Sequence, residues 1–146
     1  METIRIMTLE DVPSVARLEK ETFSDPWSEN VYRQTLELPG VIYLVVQDEE
    51  GNIIGASGIR NIVGEGEITN VMIAPGYRQK GLANRMLNEL ILQGRNMGIA
   101  DITLEVRQSN APAIHLYEKL GFVSEGVRPG FYDNPKEDAV IMWMRA

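Results

Sequence analysis

Chemistry in this 146-residue chain has to be built from few kinds of side chain, because it contains no cysteine and one histidine, His115. A disulfide, a Cys-ligated zinc or iron-sulfur site and an acyl-cysteine intermediate are excluded. A serine hydrolase triad would depend on His115 alone. Carboxylates, tyrosine hydroxyls, backbone dipoles and a borrowed cofactor remain. One segment combines several of these, YRQKGLA at 77–83, between a strand-like run and an amphipathic run. A helix N-terminus presents unpaired N–H groups and the positive end of its dipole, which attracts phosphate, and Gly81 lets the backbone approach a ligand closely. Between Ala74 and Gly98, Arg78, Lys80, Arg85 and Arg95 stand against Glu89 alone, inside a chain of net charge −7. The segment is neither GxGxxG nor GxxxxGK, so dinucleotide and P-loop ligands lose ground. Taken alone, it reads equally well as a strand-to-helix turn beside a solvated basic face.

The composition, 44% hydrophobic and 24% charged, is that of a globular protein, and the length suits one domain over residues 1–146. The acidic balance argues against direct binding of nucleic acid. Residues 1–67 carry 13 acidic and 5 basic side chains and residues 68–146 carry 8 and 9, so the two halves can meet different partners. The start, METIRIMTLEDV, has no basic stretch followed by an apolar one, and the longest strictly apolar run is Val41 to Val46. These features point away from export and the membrane and toward the cytoplasm. There are no internal repeats or low-complexity tracts.

Periodicity supplies the elements that must position these residues. Residues 2–7 read as a strand, followed by a helix capped at Thr8 with acidic support from Asp11, running to about Phe23. SDPWSEN starts a second helix, with Asp25 or Ser28 as cap, ending near Leu38. VIYLVVQ and NIIGASGIRNIV form a hairpin through Gly51 and Asn52, and a GEGE turn leads into the strand ITNVMIA, with Glu67 just before it. Leu82, Met86, Leu87, Leu90 and Ile91 mark an amphipathic helix that exits at Gly98. DITLEVR is a strand, NAPAIHLYEKLG a helix capped by Asn110 and closed by Gly121, and two strands finish the chain. The order is β α α β β β α β α β β, an α/β (α+β) mixed sheet of six to seven strands flanked by about four helices.

Two linked patterns carry a family resemblance over essentially the whole chain. Arg78, Gly81 and Ala83 match (Q/R)xxGx(G/A), and Asn110, Ala113, Tyr117, Gly121 and Phe122 match Nx(2)Ax(3)Yx(3)GF. The chain resembles the GNAT superfamily of acetyl-coenzyme A-dependent N-acetyltransferases. Within it, DPWS at 25–28, ITNVMIAP at 68–75, LEVRQSN at 104–110 and the tail from Arg128 through Phe131 and Tyr132 to EDAVIM resemble the RimI type. Those bacterial enzymes acetylate the N-terminal alanine of a small-subunit ribosomal protein. One departure is Phe131 where the type often carries the first of two tyrosines.

The resemblance implies acetyl-coenzyme A as cosubstrate, no metal, and a protein or peptide N-terminus as acceptor, with no direct nucleic-acid or membrane partner. It assigns Arg78, Gln79, Lys80, Gly81, Leu82, Ala83 and Asn84 to the pyrophosphate, Asn110 to the pantetheine arm, and a backbone N–H within Val71, Met72 and Ile73 to the thioester oxygen. Amide formation also needs a neutral amine and a protonated leaving thiolate. Glu105, on the strand face opposite Ile102, Leu104 and Val106, is the expected base. Position alone leaves it a solvated carboxylate or one paired with Arg107 or another cation. Glu67 is the reserve base. Tyr117 is the expected proton donor, since a phenol of pKa about 10 stays protonated at neutral pH; residue type alone leaves it a core tyrosine. Trp27 and Tyr132 are placed near the acceptor groove, though both also suit packing, and His115 faces solvent. The residues leave two other readings open: a GNAT enzyme for a polyamine, antibiotic or lysine, and a non-catalytic acyl-coenzyme A-binding module.

Overall fold

The computed structural model describes residues 1–146. The elements are β1 (Thr3–Ile6), α1 (Val12–Thr22), α2 (Glu29–Leu36), β2 (Val41–Gln47), β3 (Ile53–Ile62), β4 (Glu65–Ile73), α3 (Leu82–Asn96), β5 (Asp101–Arg107), α4 (Ala111–Leu120), β6 (Val123–Tyr132) and β7 (Glu137–Met144). Their order is the one read from periodicity. They build one seven-stranded sheet, β1-β2-β3-β4-β5-β7-β6, in which β4–β5 is the parallel pair.

Period-two burial divides the sheet into two apolar faces. One face, with Leu44, Ile68, Ile102, Leu104 and Val106, packs against Leu82, Met86, Leu87 and Leu90 of α3 and Tyr117 of α4. The other, with Tyr43, Val45, Ala56 and Met72, packs against Val12, Val15 and Leu18 of α1 and Tyr32 of α2. Tyr43 lies flat across β3, where a Cβ on Gly58 would stand 2.2 Å from its ring, so only glycine fits there.

Three boundaries differ from the sequence reading, each for a local reason, and one open choice is resolved. The first turn after Thr8 is a 3-10 turn, Leu9–Asp11, ahead of α1. The Asp11 carboxylate accepts from the Thr8 N–H at 2.8 Å and pairs with Arg5 at 2.7 Å. Of the two caps the sequence offers for α2, Ser28 is the one used, its Oγ accepting from the Val31 N–H. That helix ends at Leu36, two residues short of expectation. The turn into β4 is not GEGE: Val63 and Gly64 take φ of 51° and 85°, and Ile62 pairs with Glu65, which makes a two-residue hairpin turn. Glu67 therefore lies within β4.

The strand pairing also opens the sheet. β4 and β5 pair at three positions, ending at Glu67 and Thr103. Past that point β4 bulges against β3, with Asn70 at φ 57°, while β5 continues along β7 to Arg107. A gap thus separates the second half of β4 from the second half of β5.

Candidate active site

The loop from Arg78 to Ala83 follows β4 at the mouth of this gap. Gln79 (φ 62°) and Gly81 (φ 75°) are both left-handed, which bends the chain into the start of α3. None of the backbone N–H groups from Gln79 to Asn84 donates to a backbone or side-chain acceptor, so six consecutive donors are free. The Cβ position of Gly81 has no neighbour within 4 Å. Such a cradle fits a diphosphate. Arg78 is exposed and its Nε donates to the Ile73 carbonyl at 2.9 Å, which fixes the loop to the end of β4. Lys80 sits over the Tyr77 ring at 5.3 Å.

Strand alternation assigns the backbone donors of β4. The Ala74 N–H donates to Ile54 on β3, so those of Ile73 and Val71 point away from β3, into the gap, and that of Met72 points toward β3.

Glu105 lies on β5 with its side chain on the α1–α2 face, opposite buried Ile102, Leu104 and Val106. Its cation is Arg128 of β6, at 3.4 Å, not Arg107. The Arg128 contact is not aligned for donation, and Glu105 Oε2 is buried without a hydrogen bond. Burial raises the Glu105 pKa, Arg128 opposes this, and the charge of Glu67 adds to it. Such a carboxylate is poised to take a proton. Glu67 is exposed and lines a cavity of about 210 Å³ with Trp27, Tyr43, Arg60 and Thr69.

Tyr117 enters from α4 with its ring in the core, T-shaped to Phe122 at a centroid distance of 6.1 Å. Burial raises its pKa, with a further contribution from Tyr132. Its hydroxyl makes no hydrogen bond and keeps access to solvent, which leaves the proton available to a ligand. Tyr132 is pushed up to about 12 by burial and then by the Glu105 charge, and Arg107 stacks over its ring at 4.5 Å. Tyr132 thus feels the charge of Glu105 and in turn acts on Tyr117.

Asn110 caps α4 through the Ala113 N–H at 3.3 Å, and His115 is exposed. Trp27 packs on Tyr32 and Tyr43, with centroids 5.3 and 6.3 Å away, while also lining the cavity beside Glu67. The packing reading of Trp27 holds, and its indole also borders that cavity. Periodicity gave no sign of Arg107's role: it donates to the carbonyls of Asp133 and Pro135, both at 2.9 Å, and to Ser24 at 3.3 Å. It thereby ties the β6–β7 loop to the α1–α2 loop across the Glu105 face. Arg107 also pairs with Glu137. No group of three or more His, Cys, Asp or Glu side chains could hold a metal ion.

The sheet opens between two parallel strands, with a cradle of free N–H groups at the end of the first and a tyrosine-bearing helix after the second. The acetyltransferase (GNAT) family model matches residues 12–122, and the chain belongs to that family. Its members use acetyl-coenzyme A. A relative in Escherichia coli (strain K12), named [ribosomal protein bS18]-alanine N-acetyltransferase, is 34% identical over 145 residues, 97% of this chain and 96% of that one. A relative in Bacillus subtilis (strain 168), whose name provisionally assigns the same activity, is 35% identical over 142 residues, 97% of this chain and 93% of that one. Among solved structures, the Escherichia coli ribosomal-protein-S18-alanine N-acetyltransferase superposes with a TM-score of 0.89 at 30% identity, covering 99% of this chain and 94% of that one. The protein is thus an N-acetyltransferase.

Proposed function

We propose that residues 1–146 act as one domain that transfers acetyl from acetyl-coenzyme A to the N-terminal α-amino group of a small-subunit ribosomal protein, beginning with alanine, in the cytoplasm. The observation that carries this reading is the buried, unbonded Glu105 oxygen beside the β4–β5 gap, with the free Gln79–Asn84 donors at the end of β4. Acetyl-coenzyme A supplies the thioester carbonyl and the thiolate leaving group. Arg78, Gln79, Lys80, Gly81, Leu82, Ala83 and Asn84 hold its pyrophosphate, chiefly through backbone N–H groups, and Asn110 holds the pantetheine arm. The N–H of Val71 or Ile73 polarises the thioester oxygen.

The acceptor α-amine has an ordinary pKa of about 7.7–8.0, so a share of it arrives protonated. Glu105 takes that proton, directly or through water, and its raised pKa brings it closer to the amine's than an exposed glutamate would be. Tyr117, kept protonated by burial, hands its proton to the departing sulfur, whose ordinary pKa is about 8.5. With no cysteine in the chain, transfer is direct, within one complex of protein, cosubstrate and acceptor. Trp27 and Tyr132 border the acceptor groove, and Arg107 holds its two loops together.

Mass spectrometry of peptides incubated with acetyl-coenzyme A tests the reading. A free N-terminal alanine peptide of ribosomal sequence is expected to gain one acetyl group and its blocked counterpart none. Equal acetylation of lysine side chains or polyamines would overturn the acceptor assignment. Absence of transfer with tight cosubstrate binding would favour the non-catalytic module.

A further inference from the structure

Glu19 has no part in the chemistry above, yet it is the most deeply buried carboxylate in the protein, 1% exposed on α1. It forms no ion pair. Its charge is met by three donors from three places: the Trp27 N–H at 2.6 Å, the Asn70 side-chain amide at 2.8 Å, and the Tyr32 hydroxyl. These are the α1–α2 loop that borders the acceptor groove, the bulge of β4, and α2. Asn70 is itself constrained, left-handed at φ 57°, with its Oδ1 accepting from the Tyr43 hydroxyl at 3.0 Å. The next residue is Val71, whose N–H points into the gap.

A lone buried carboxylate is a costly way to fill space, since removing its charge from water must be offset by every hydrogen bond it makes. An apolar residue would join α1 to the sheet without that cost. What a carboxylate adds is a fixed acceptor joining two backbone segments that are 43 residues apart in sequence, Trp27 and Asn70. We propose that Glu19 is a positioning residue that locks the Trp27 loop and the β4 bulge to one another, so that the acceptor amine and the Val71 N–H are held in register. The inference rests on the function proposed above and adds the residue that sets its geometry.

The test is a donor–acceptor swap in the full chain. In Glu19→Gln, an amide N–H must face either the Trp27 N–H or the Asn70 amide, and in Asn70→Asp two carboxylates face each other. In the double variant, Glu19→Gln with Asn70→Asp, the amide now on α1 can donate to the carboxylate now on the β4 bulge. The Tyr32 and Tyr43 hydroxyls can donate to that same carboxylate, so every donor has an acceptor. Each single variant is expected to lose about tenfold or more in kcat, with coenzyme A affinity unchanged, because small misplacements of reacting groups are costly. The double variant is expected to recover most of that loss, a coupling that independent sites do not show. Singles that merely melt earlier with kcat unchanged, or a double variant that is additive, would overturn the proposal.

If neither single variant folds, Asn70→Gly decides: glycine accepts the left-handed conformation and removes only the amide. It is expected to lower kcat and leave coenzyme A binding intact; unchanged kcat would overturn the proposal. The Asn70 side-chain amide signal in NMR reports the link without turnover. It is expected to be protected from exchange in the wild type, and an unprotected signal would overturn the proposal even for an active enzyme. Wild-type protein that acetylates no peptide while keeping this signal protected would instead sink the proposed function.

Discussion

Gly81 and Gly98 bracket α3, and comparing alanine at each separates a turn requirement from a ligand requirement. Both are left-handed, at φ 75° and 92°, and a Cβ at either would have no neighbour within 4 Å. Alanine therefore meets no clash at either site, only the backbone cost of a left-handed L-residue, about 1–2 kcal/mol. The stiffer unfolded chain offsets about 0.4–1 kcal/mol of it. A net loss of about 1 kcal/mol corresponds to a melting temperature about 2–4 °C lower in a chain of this size. The two variants should be alike in that respect. They should differ in cosubstrate binding, because the Gly81 methyl enters the space in front of the free donors, while Gly98 lies a helix of 15 residues away, about 22 Å. Displacing a phosphate from one or two charge-assisted bonds, each worth about 1.5–3 kcal/mol, weakens binding about 10-fold to more than 100-fold. Isothermal titration with coenzyme A measures this directly. Gly81→Ala should bind far more weakly and Gly98→Ala normally. If both bind like the wild type, the loop is an ordinary turn and the cosubstrate lies elsewhere.

Further outcomes follow from the other groups of the site. Tyr117→Phe removes a hydroxyl that bonds to nothing in the protein, so melting temperature and coenzyme A affinity should hold while kcat falls; unchanged kcat would remove Tyr117 from the reaction. Glu105→Gln should lower kcat about 10² to 10⁴-fold, and a loss of only a few-fold would shift attention to Glu67 or bulk water. The base must be ionised to act, so the acid limb of kcat/KM should lie above the ordinary glutamate value of 4.5. Arg128→Ala removes the cation that opposes the rise and should move that limb to higher pH; movement the other way would refute the pairing. Arg5 holds the Asp11 pKa below its ordinary 3.8, chiefly by hydrogen bonding. Asp11 therefore contributes stability fully present above that ordinary value and lost as pH falls through the lower folded value. Asp11→Asn should flatten this part of the acid melting profile.

Element order was readable because each element carries its own period: apolar spacing of three and four for α3, alternation for β5. Chain ends resisted where backbone conformation decided them. Val63 is a β-branched residue in a left-handed turn, a conformation its side chain argues against, so residue type points to a later turn and places Glu67 outside β4. The site divides in the same way. Gly81, Asn110 and Tyr117 belong to local patterns, so their places at the start of α3 and on α4 are legible in the sequence. Arg128, the cation beside Glu105, lies 23 residues away on a strand that reaches β5's neighbourhood through β7. The Glu19 network joins α1, α2 and β4. Neither has a spacing to detect, because both are products of strand order.

Strand order also gives the uneven charge of the chain a direction. The acidic first half supplies α1 and α2 on one face of the sheet, whereas the basic stretch after β4 surrounds the start of α3, which covers the other. On the proposed function, an anionic cosubstrate and a cationic amine would be drawn to opposite sides. They need a passage between the faces, and a fully paired sheet would offer none. β4–β5 pairing ends at Glu67 and the bulge against β3 follows at Asn70, so the passage opens there, with the Val71 and Ile73 N–H groups pointing into it. In the proposed reaction, the one place where β4 breaks its regular pairing is where the two ligands would meet the free backbone donors and Glu105, and direct transfer there would need no acyl-enzyme to carry the acetyl group between them.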